Sequence, residues 1–243
     1  MGVTKLAPSC DAFVRWLSDR RSGANYWSQS PNGWCERFGA QLCRFVAAAL
    51  PRYPYGERMP RKPRIDYGGA IQHVAVNGNN HQVMFLHDRD RWELLGLLRT
   101  TAERYGWHVL AYCLMDTHWH LLVRTPKTLS VGMQRLNSVY SRSFNLRHGR
   151  SGHSIRHRFM SVPVETEAHL RELSRYIPLN PVRAGLASHP LDWPWSSYHE
   201  QLAPDDSPDW MDAGWSARIH GGVDHFRAYV DAGLLDRAVE LAP

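Results

Sequence analysis

Two histidines, His118 and His120, stand two positions apart inside the apolar run MDTHWHLLVRT of residues 115–125. Successive side chains of a β-strand point to opposite faces, so both imidazoles would share one face and Trp119 would lie on the other. Imidazole is a common ligand of divalent metals, and two of them on one rigid strand could share an ion. The spacing suits two hydrogen-bonded histidines on a sheet surface equally well, so a metal site needs further ligands.

The stretch that follows the histidines is strongly basic. From Thr117 to Val164 there is no Asp or Glu, whereas the whole chain has 29 Lys and Arg against 23 acidic residues. An acid-free surface beside a possible metal site is typical of a nucleic-acid partner, although it could also be an ordinary solvated face. The candidate DNA contacts are the arginines of this stretch: Arg124, Arg135, Arg142, Arg147, Arg150, Arg156 and Arg158.

The composition indicates a cytoplasmic protein without a membrane segment. The chain has 243 residues, 43% of them hydrophobic, which is enough for one sizeable core. No apolar run approaches the roughly 18 residues of a membrane span. The four cysteines form no C-x-x-C pair, so we expect reduced thiols rather than a zinc site or a disulfide framework.

The elements that must position these side chains can be predicted from periodicity and turn residues. Strands are expected at residues 71–76, 107–115, 118–125 and 158–165, with the middle two joined as a hairpin through Asp116-Thr117. Helices are expected from a cap at Asp88 to Gly106, over about 129–147, and over 166–177. The alternation predicts an α+β fold, with a small, mainly antiparallel sheet and helices packed on one side.

From about Met59 to Tyr198 the chain resembles the REP-associated tyrosine transposases of the HUH single-tyrosine superfamily. The resemblance lies in the segments PRKPRIDYGGAIQHVAVNGNN, YCLMDTHWHLLV, LNSVYSRSFNLRHGRSGH, RYIPLNPVRAGL and DWPWSSY, which occur in the family's order and spacing. It implies a ferredoxin-like or RRM-like HUH domain at residues 59–200. A helical extension of unknown role would then precede it at 1–58, and an acidic helical tail would follow at 201–243.

The resemblance also implies a site and an activity. Tyr176 matches the family's nucleophile, and Asn180, one helical turn later, matches a third metal ligand beside His118 and His120. The implied reaction nicks and rejoins single-stranded or hairpin DNA through a 5′-phosphotyrosine, with Mg²⁺ or Mn²⁺ as cofactor. The REP-associated branch implies a monomer, with a dimer as the other possibility. Tyr140 is the rival nucleophile, but it lies on the apolar stripe of its predicted helix.

The position of one proline and two other possible functions leave alternatives open. Pro178 stands between Tyr176 and Asn180, and proline disrupts helices, so the helix is expected to end near Tyr176. A non-catalytic nucleic-acid-binding module with an RRM-like sheet would also explain the basic stretch. A hydrolase that uses the histidine pair and water would normally need acidic ligands, and only Asp116 is close in the sequence.

Overall fold

The computed structural model of the protein describes residues 68–156 and 158–240. The predicted helical extension at 1–58 lies outside the described residues, as do Cys10, Cys35 and Cys43. In chain order the strands and the three longer early helices are β1 (Ile71–Asn77), α1 (Asp88–Tyr105), β2 (His108–Leu114), β3 (His118–Arg124), α2 (Leu129–Arg147), β4 (Met160–Pro163) and α3 (Glu167–Arg183). They are followed by α4 (Tyr198–Leu202), α5 (Trp215–His220) and α6 (Val223–Glu240).

The four strands form one antiparallel sheet in the order β2-β3-β1-β4. The predicted hairpin of β2 and β3 is confirmed, with a register irregularity between Val109 and Ala111. β1 lies between β3 and β4, and it pairs Ala75 with His120 and Asn77 with His118. This βαββαβ order is the ferredoxin-like arrangement. The predicted α+β fold class is therefore confirmed.

The sheet is covered by helices on both faces, whereas one covered face was predicted. Trp119, Leu121 and Val123 of β3 are fully buried on one face, where they pack with residues of α1 and α2: Leu94, Leu98, Met133, Leu136, Tyr140 and Phe144. On the other face Leu122 is just as buried, and α3 lies there. A strand whose side chains are apolar on both faces needs a helix on each side, because burial of each such side chain contributes roughly 1.5–3 kcal/mol.

The last helix of the transposase-like segment continues six residues beyond its expected end. α3 begins after Thr166, whose side chain accepts from His169 N at 3.1 Å, and it passes through Pro178 and Pro181 to Arg183. A proline inside a helix costs about 3 kcal/mol. The cost is offset because the segment is buried on both sides, against the sheet and against a second cluster formed by Leu179, Tyr198, Phe226 and Val230.

Two predicted boundaries also differ in detail. The predicted cap at Asp88 is wrong by one residue, because Asp88 is the first residue of α1 and His87 is its N-cap. The carboxylate that accepts from the preceding backbone is that of Asp90, from Leu86 N at 2.9 Å and His87 N at 3.0 Å. β4 spans four residues rather than the eight expected. Its register with β1 covers Gln72 to Ala75 only, so the remaining residues of the predicted strand are outside the ladder.

The outer edge of β2 is covered by the chain's own C-terminal part. Leu114 N donates to Trp195 O at 2.8 Å, Ser197 N donates to Tyr112 O at 3.0 Å, and Asp212 N donates to Val109 O at 2.9 Å. These bonds use backbone groups that an open edge strand would present to another strand. Within the described part of the chain, no helix has the length and apolar character needed to cross a membrane.

Candidate active site

The histidine pair lies on one face of β3, as the alternation predicts. The ring centroids of His118 and His120 are 5.1 Å apart, and the rings are nearly perpendicular. His120 is almost completely buried, whereas His118 is half-buried. Burial, together with the neighbouring His118 and His73, holds the pKa of His120 well below its ordinary value. His120 is therefore a neutral imidazole near pH 7, and a neutral imidazole is the form that binds metal.

A third histidine, His73 of β1, completes this group, and sequence reasoning missed it. Its Nε2 lies 3.1 Å from His120 Nδ1, and the two rings stack at 5.3 Å. The pairing of Ala75 with His120 puts His73 on the same face of the sheet, two residues along β1. The signal in the sequence was His73 itself, a polar residue inside the alternating strand IQHVAV. It lies on the same face of β1 as Ala75, which pairs with His120.

The nitrogen chemistry of His120 fits a metal ligand. Its Nε2 is buried and has no hydrogen-bond partner among the described residues. If His120 Nδ1–H donates to His73 Nε2, the lone pair of His120 Nε2 is free to bind an ion. Metal-binding histidines commonly use the second ring nitrogen in this way, which sets the tautomer and the ring orientation.

Tyr176 of α3 lies against the histidines. Its ring centroid is 5.6 Å from that of His120 and 6.0 Å from that of His73, both edge-on. The tyrosine is 2% exposed. The guanidinium of Arg183 is 5.2 Å from the Tyr176 ring centroid, two helical turns along α3. Sequence reasoning also missed Arg183, although its i+7 spacing from Tyr176 was the available signal.

The side-chain amide of Asn180 has a defined orientation on the same helix. Asn180 Nδ2 donates to Tyr176 O at 2.9 Å and to Ile177 O at 3.3 Å. Pro181 has no N–H with which to bond Ile177 O, so the side chain of Asn180 serves that carbonyl instead. With its nitrogen directed at the helix backbone, the amide presents Oδ1 on its other side, and an amide oxygen is a suitable ligand for Mg²⁺ or Mn²⁺.

Among the described residues, no acidic side chain joins His118 and His120 to form a metal-binding group. In the described part of the chain, no three His, Cys, Asp or Glu side chains form a group that could hold a metal ion. Asp116, the nearest carboxylate in the sequence, forms an ion pair with Arg91 at 2.5 Å. The histidine pair therefore fits a metal with an oxygen ligand from an uncharged side chain, as Asn180 would supply.

Tyr140, the rival nucleophile, is placed in the core between α2 and the opposite face of the sheet. It is 1% exposed, and its hydroxyl donates to Met84 O. Burial raises the pKa of Tyr140 strongly, and the charges of Asp90 and Glu93 add to this. Its position explains the apolar stripe of α2 and separates it from the three histidines.

The predicted DNA-contacting arginines fall into two groups. Arg124, Arg135, Arg142 and Arg158 are exposed. Arg147 instead pairs with the fully buried Asp90 at 2.5 Å and with Glu93. Arg150 bonds Gln82 and lies over Phe144, and Arg156 Nη1 is 3.2 Å from His81 Nε2. The structure thus leaves the first four most accessible to a phosphate backbone.

Comparison with known protein families identifies relatives of residues 68–180. The family described as "Transposase IS200 like" matches residues 68–180, which run from the start of the sheet to Asn180 and include all three histidines and Tyr176. Residues 68–180 of this chain are therefore similar to the IS200-like transposases. Together with the two relatives described next, this match confirms the predicted resemblance to REP-associated tyrosine transposases.

Two individual relatives agree with the family match. A curated Haemophilus influenzae (strain ATCC 51907 / DSM 11121 / KW20 / Rd) protein described as a REP-associated tyrosine transposase is 25% identical over 143 residues, covering 54% of this chain and 81% of the relative. A solved structure of a REP-associated tyrosine transposase bound to a REP hairpin superposes with a TM-score of 0.52 and 20% identity. It covers 62% of this chain and 89% of that one. This second likeness shows that the two share a fold.

Proposed function

We propose that this transposase nicks and rejoins single-stranded or hairpin DNA of the REP type through a 5′-phosphotyrosine at Tyr176. The observation that carries the proposal is the placement of Tyr176 against the histidine face of the sheet, 5.6 Å from the His120 ring. A nucleophile and a pair of metal-binding imidazoles on facing elements are the parts that such a reaction needs. The exposed arginines would hold the flanking phosphates.

In the cleavage step, Tyr176 Oη would attack the phosphorus of one phosphodiester. The O–P bond to tyrosine forms, the bond from phosphorus to O3′ breaks, and the leaving 3′ oxygen takes up a proton to become a hydroxyl. The proton of the tyrosine passes to a base or to solvent. Rejoining is the reverse attack by a 3′-hydroxyl, which releases Tyr176; the phosphotyrosine ester preserves the bond energy, so no nucleotide cofactor is consumed.

His118, His120 and Asn180 would hold one Mg²⁺ or Mn²⁺. Such an ion, when bound, withdraws negative charge from the non-bridging oxygens of the phosphate. His73 would hold the His120 ring in its tautomer, and Arg183 would fix the edge-on orientation of the Tyr176 ring while adding a positive charge near the phosphate. We also propose a monomer, with a dimer as the other possibility, because the β2 edge is occupied by the chain itself.

The experiment incubates a REP-type hairpin with single-stranded flanks, labelled at either end, with the protein and Mg²⁺ or Mn²⁺. On a denaturing gel, the 3′-labelled fragment should migrate as a protein adduct, and the 5′-labelled fragment should appear as a shorter free strand. Omission of the metal should abolish both products. Nicking without any adduct would contradict the proposal and point to a hydrolase that uses water.

A second function, a non-catalytic nucleic-acid-binding module, is favoured by one observation: Tyr176 and His120 are both nearly fully buried. The same gel separates the two functions. Tight binding of the hairpin with no cleavage under any metal would favour the binding module.

A further inference from the structure

The turn between β2 and β3 carries a hydroxyl that contacts the first histidine of the pair. Thr117 Oγ1 lies 3.2 Å from His118 Nδ1, and both residues are half-buried. A hydroxyl can donate or accept a hydrogen bond, and a neutral imidazole has one nitrogen that donates and one that accepts. The direction of this hydrogen bond therefore decides which nitrogen of His118 is able to bind a metal ion.

Backbone hydrogen bonds fix the position of this turn. Gly78 N donates to Thr117 O at 2.8 Å, and Met84 N donates to Asp116 O at 2.8 Å. The chain at Gly78 approaches so closely that an added Cβ would clash with Gln82 O and would lie 3.2 Å from Thr117 O. Glycine allows this approach because it has no Cβ. The backbone that carries the Thr117 side chain is thus held by two neighbouring segments.

The side chain of Asp116 holds the same turn through an ion pair. Asp116 Oδ1 is 2.5 Å from Arg91 Nη2, and Arg91 is almost completely buried. The guanidinium lies 5.3 Å from the ring centroids of both Phe85 and Trp195. A buried guanidinium beside two aromatic rings has little freedom to move, so it restrains Asp116 and the residue that follows it, Thr117.

His118 is restrained from the other direction by the sheet. It is the first residue of β3, and it is paired with Asn77 of β1. Thr117 and His118 therefore meet with little freedom in either backbone. A hydrogen bond between groups that are already held in place costs little conformational entropy, so it can select one tautomer of the ring.

The contacts of His120 indicate which tautomer of His118 fits the pair. His120 uses Nδ1 for its contact with His73, and His118 uses the same ring atom for its contact with Thr117. With Thr117 as the acceptor, the proton of His118 is on Nδ1, and both imidazoles would bind an ion through Nε2. With Thr117 as the donor, the proton would be on Nε2, and the only lone pair of His118 would already be engaged by the hydroxyl.

We propose that Thr117 is a positioning residue whose hydroxyl accepts from His118 Nδ1–H and thereby assigns His118 Nε2 to the metal ion. The inference rests on the proposed function, because it assumes that the histidine pair holds a metal. Metal-binding histidines commonly donate their other N–H to a protein acceptor, which fixes the ring orientation. Thr117 would have the role toward His118 that His73 has toward His120.

The first measurement determines the tautomer in the absence of metal, DNA and catalysis. The full chain is prepared with isotope-labelled histidine, and long-range proton–nitrogen NMR spectra are recorded at about pH 8, where an ordinary imidazole is neutral. The signals of His118 are identified by their loss in His118→Gln. In the wild type, Nδ1 should be the protonated nitrogen of His118. In Thr117→Val, which retains the shape of the side chain, the proton should move wholly or partly to Nε2.

The second measurement is the Kd for Mn²⁺, by isothermal titration calorimetry. It is made with and without a REP-type hairpin, in a Tyr176→Phe background that cannot cleave the DNA. Thr117→Val should raise the Kd about 10–100-fold. Thr117→Ser should remain near the starting value, because it retains the hydroxyl.

A matched control removes a hydroxyl elsewhere. Thr100 donates its hydroxyl to Leu97 O on the exposed side of α1, so Thr100→Val should change neither the tautomer of His118 nor the Kd for Mn²⁺. Melting temperatures show whether each variant is folded. The spectrum of the wild type tests the direction of the hydrogen bond even if Thr117→Val does not fold.

Two results would overturn the inference and leave the proposed function standing. One is a wild type that binds Mn²⁺ with His118 protonated at Nε2. The other is a folded Thr117→Val in which the tautomer and the Kd for Mn²⁺ both equal those of the protein that retains Thr117. A protein that bound no Mn²⁺ with or without the hairpin would be a different result, because it would remove the metal site of the proposed function and the inference together.

Discussion

At the scale of single residues, the surroundings of His120 explain how a buried imidazole can be kept ready for a metal ion. Burial and two neighbouring imidazoles lower its pKa, so protons compete with a metal for this nitrogen only in acid. The hydrogen bond to His73 assigns one ring nitrogen to the protein, and the other is buried without a partner among the described residues. This arrangement supports our proposal that His120 is a metal ligand.

The nucleophile can be tested by removing one hydroxyl. Tyr176→Phe should abolish the DNA adduct, with rates reduced at least about 10³-fold, because the attacking oxygen is lost and the ring remains. Tyr140→Phe is the matched control; it should retain most of the activity but lose stability by about 1–3 kcal/mol, since Met84 O is left without its donor. The measurement is mass spectrometry of the trapped peptide, and an adduct on Tyr140 would disprove the assignment.

The role of His73 can be tested through the metal dependence of nicking. His73→Ala should raise the Mn²⁺ concentration needed for half-maximal nicking by about 10–100-fold, because His120 loses the group that orients it. His73→Gln, which can still accept a hydrogen bond, should restore part of this, and DNA binding should not change in either variant. An unaltered metal requirement in His73→Ala would mean that this histidine is only part of the packing.

At the scale of elements, α3 holds Tyr176 and Asn180 of the proposed site one turn apart because it remains helical through two prolines. If it ended near Tyr176, Asn180 would not follow Tyr176 by one helical turn. The helix is held between the sheet and the C-terminal helices, where Leu179 packs with Tyr198, Phe226 and Val230. Packing on both sides thus outweighs the local preference of proline, and it fixes the direction in which Asn180 points.

Asn180 has a structural donor and a candidate ligand oxygen, and two substitutions can separate them. Asn180→Ala removes both, so it should lower apparent metal affinity and destabilise the fold by about 1–3 kcal/mol, since Ile177 O loses its partner. Asn180→Asp retains an oxygen but loses the donor. It should therefore lose stability while keeping metal-dependent nicking. If Asn180→Asp lost nicking while remaining folded and Asn180→Ala did not, the ligand assignment would be wrong.

The contact between α1 and α2 should make stability depend on pH. Burial raises the pKa of Asp90, but bonds from His148, from the backbone of residues 86 and 87 and from Arg147 outweigh it, so the net pKa is below the ordinary 3.8. A carboxyl with a lowered folded pKa stabilises the fold above pH 3.8, and this contribution is lost as the pH falls through the folded value.

Asp90→Asn should therefore destabilise the protein by about 2–4 kcal/mol at neutral pH, and the difference from the wild type should shrink below pH 4. The measurement is urea unfolding between pH 2.5 and 7. Asp88→Asn is the control, because Asp88 is exposed and its bond to Arg91 is long, at 3.4 Å. A constant difference across the whole pH range would contradict the ion-pair account.

At the scale of the whole molecule, the exposed arginines of α2 and the closed edge of the sheet lie on different surfaces. The exposed arginines at positions 135 and 142 lie two turns apart on one side of α2. Backbone groups of Trp195, Ser197 and Asp212 cover the β2 edge of the sheet. Within the described residues, α2 thus presents exposed basic side chains, and the β2 edge is closed by the chain itself.

The salt dependence of DNA binding tests this arrangement. Replacing both Arg135 and Arg142 by Ala should lower the slope of log K against log salt by roughly 0.7–0.9 per lost phosphate contact. Arg147→Ala removes the same charge from a residue already paired with Asp90 and Glu93, so it should change stability more than slope. A larger change of slope for Arg147→Ala than for the pair would place the DNA on the α1–α2 contact instead.

The sequence by itself determined the local features: the strand that places His118 and His120 on one face, the β2–β3 hairpin, the bounds of α2 and the acid-free stretch. These depend on side-chain alternation, helical periodicity and turn residues, which act between neighbours in the chain. Tyr176 and Asn180 could be named only through resemblance to a family, since neither has a local signal that distinguishes it from a core tyrosine or a turn residue.

The tertiary structure decided the rest. The position of His73 beside His120 depends on the pairing of two strands 47 residues apart. The continuation of α3 through Pro178 depends on burial between the sheet and α6, and the withdrawal of Arg147 from solvent depends on the approach of α1 to α2. Such contacts are governed by which distant surfaces meet, and no spacing within a single element encodes them.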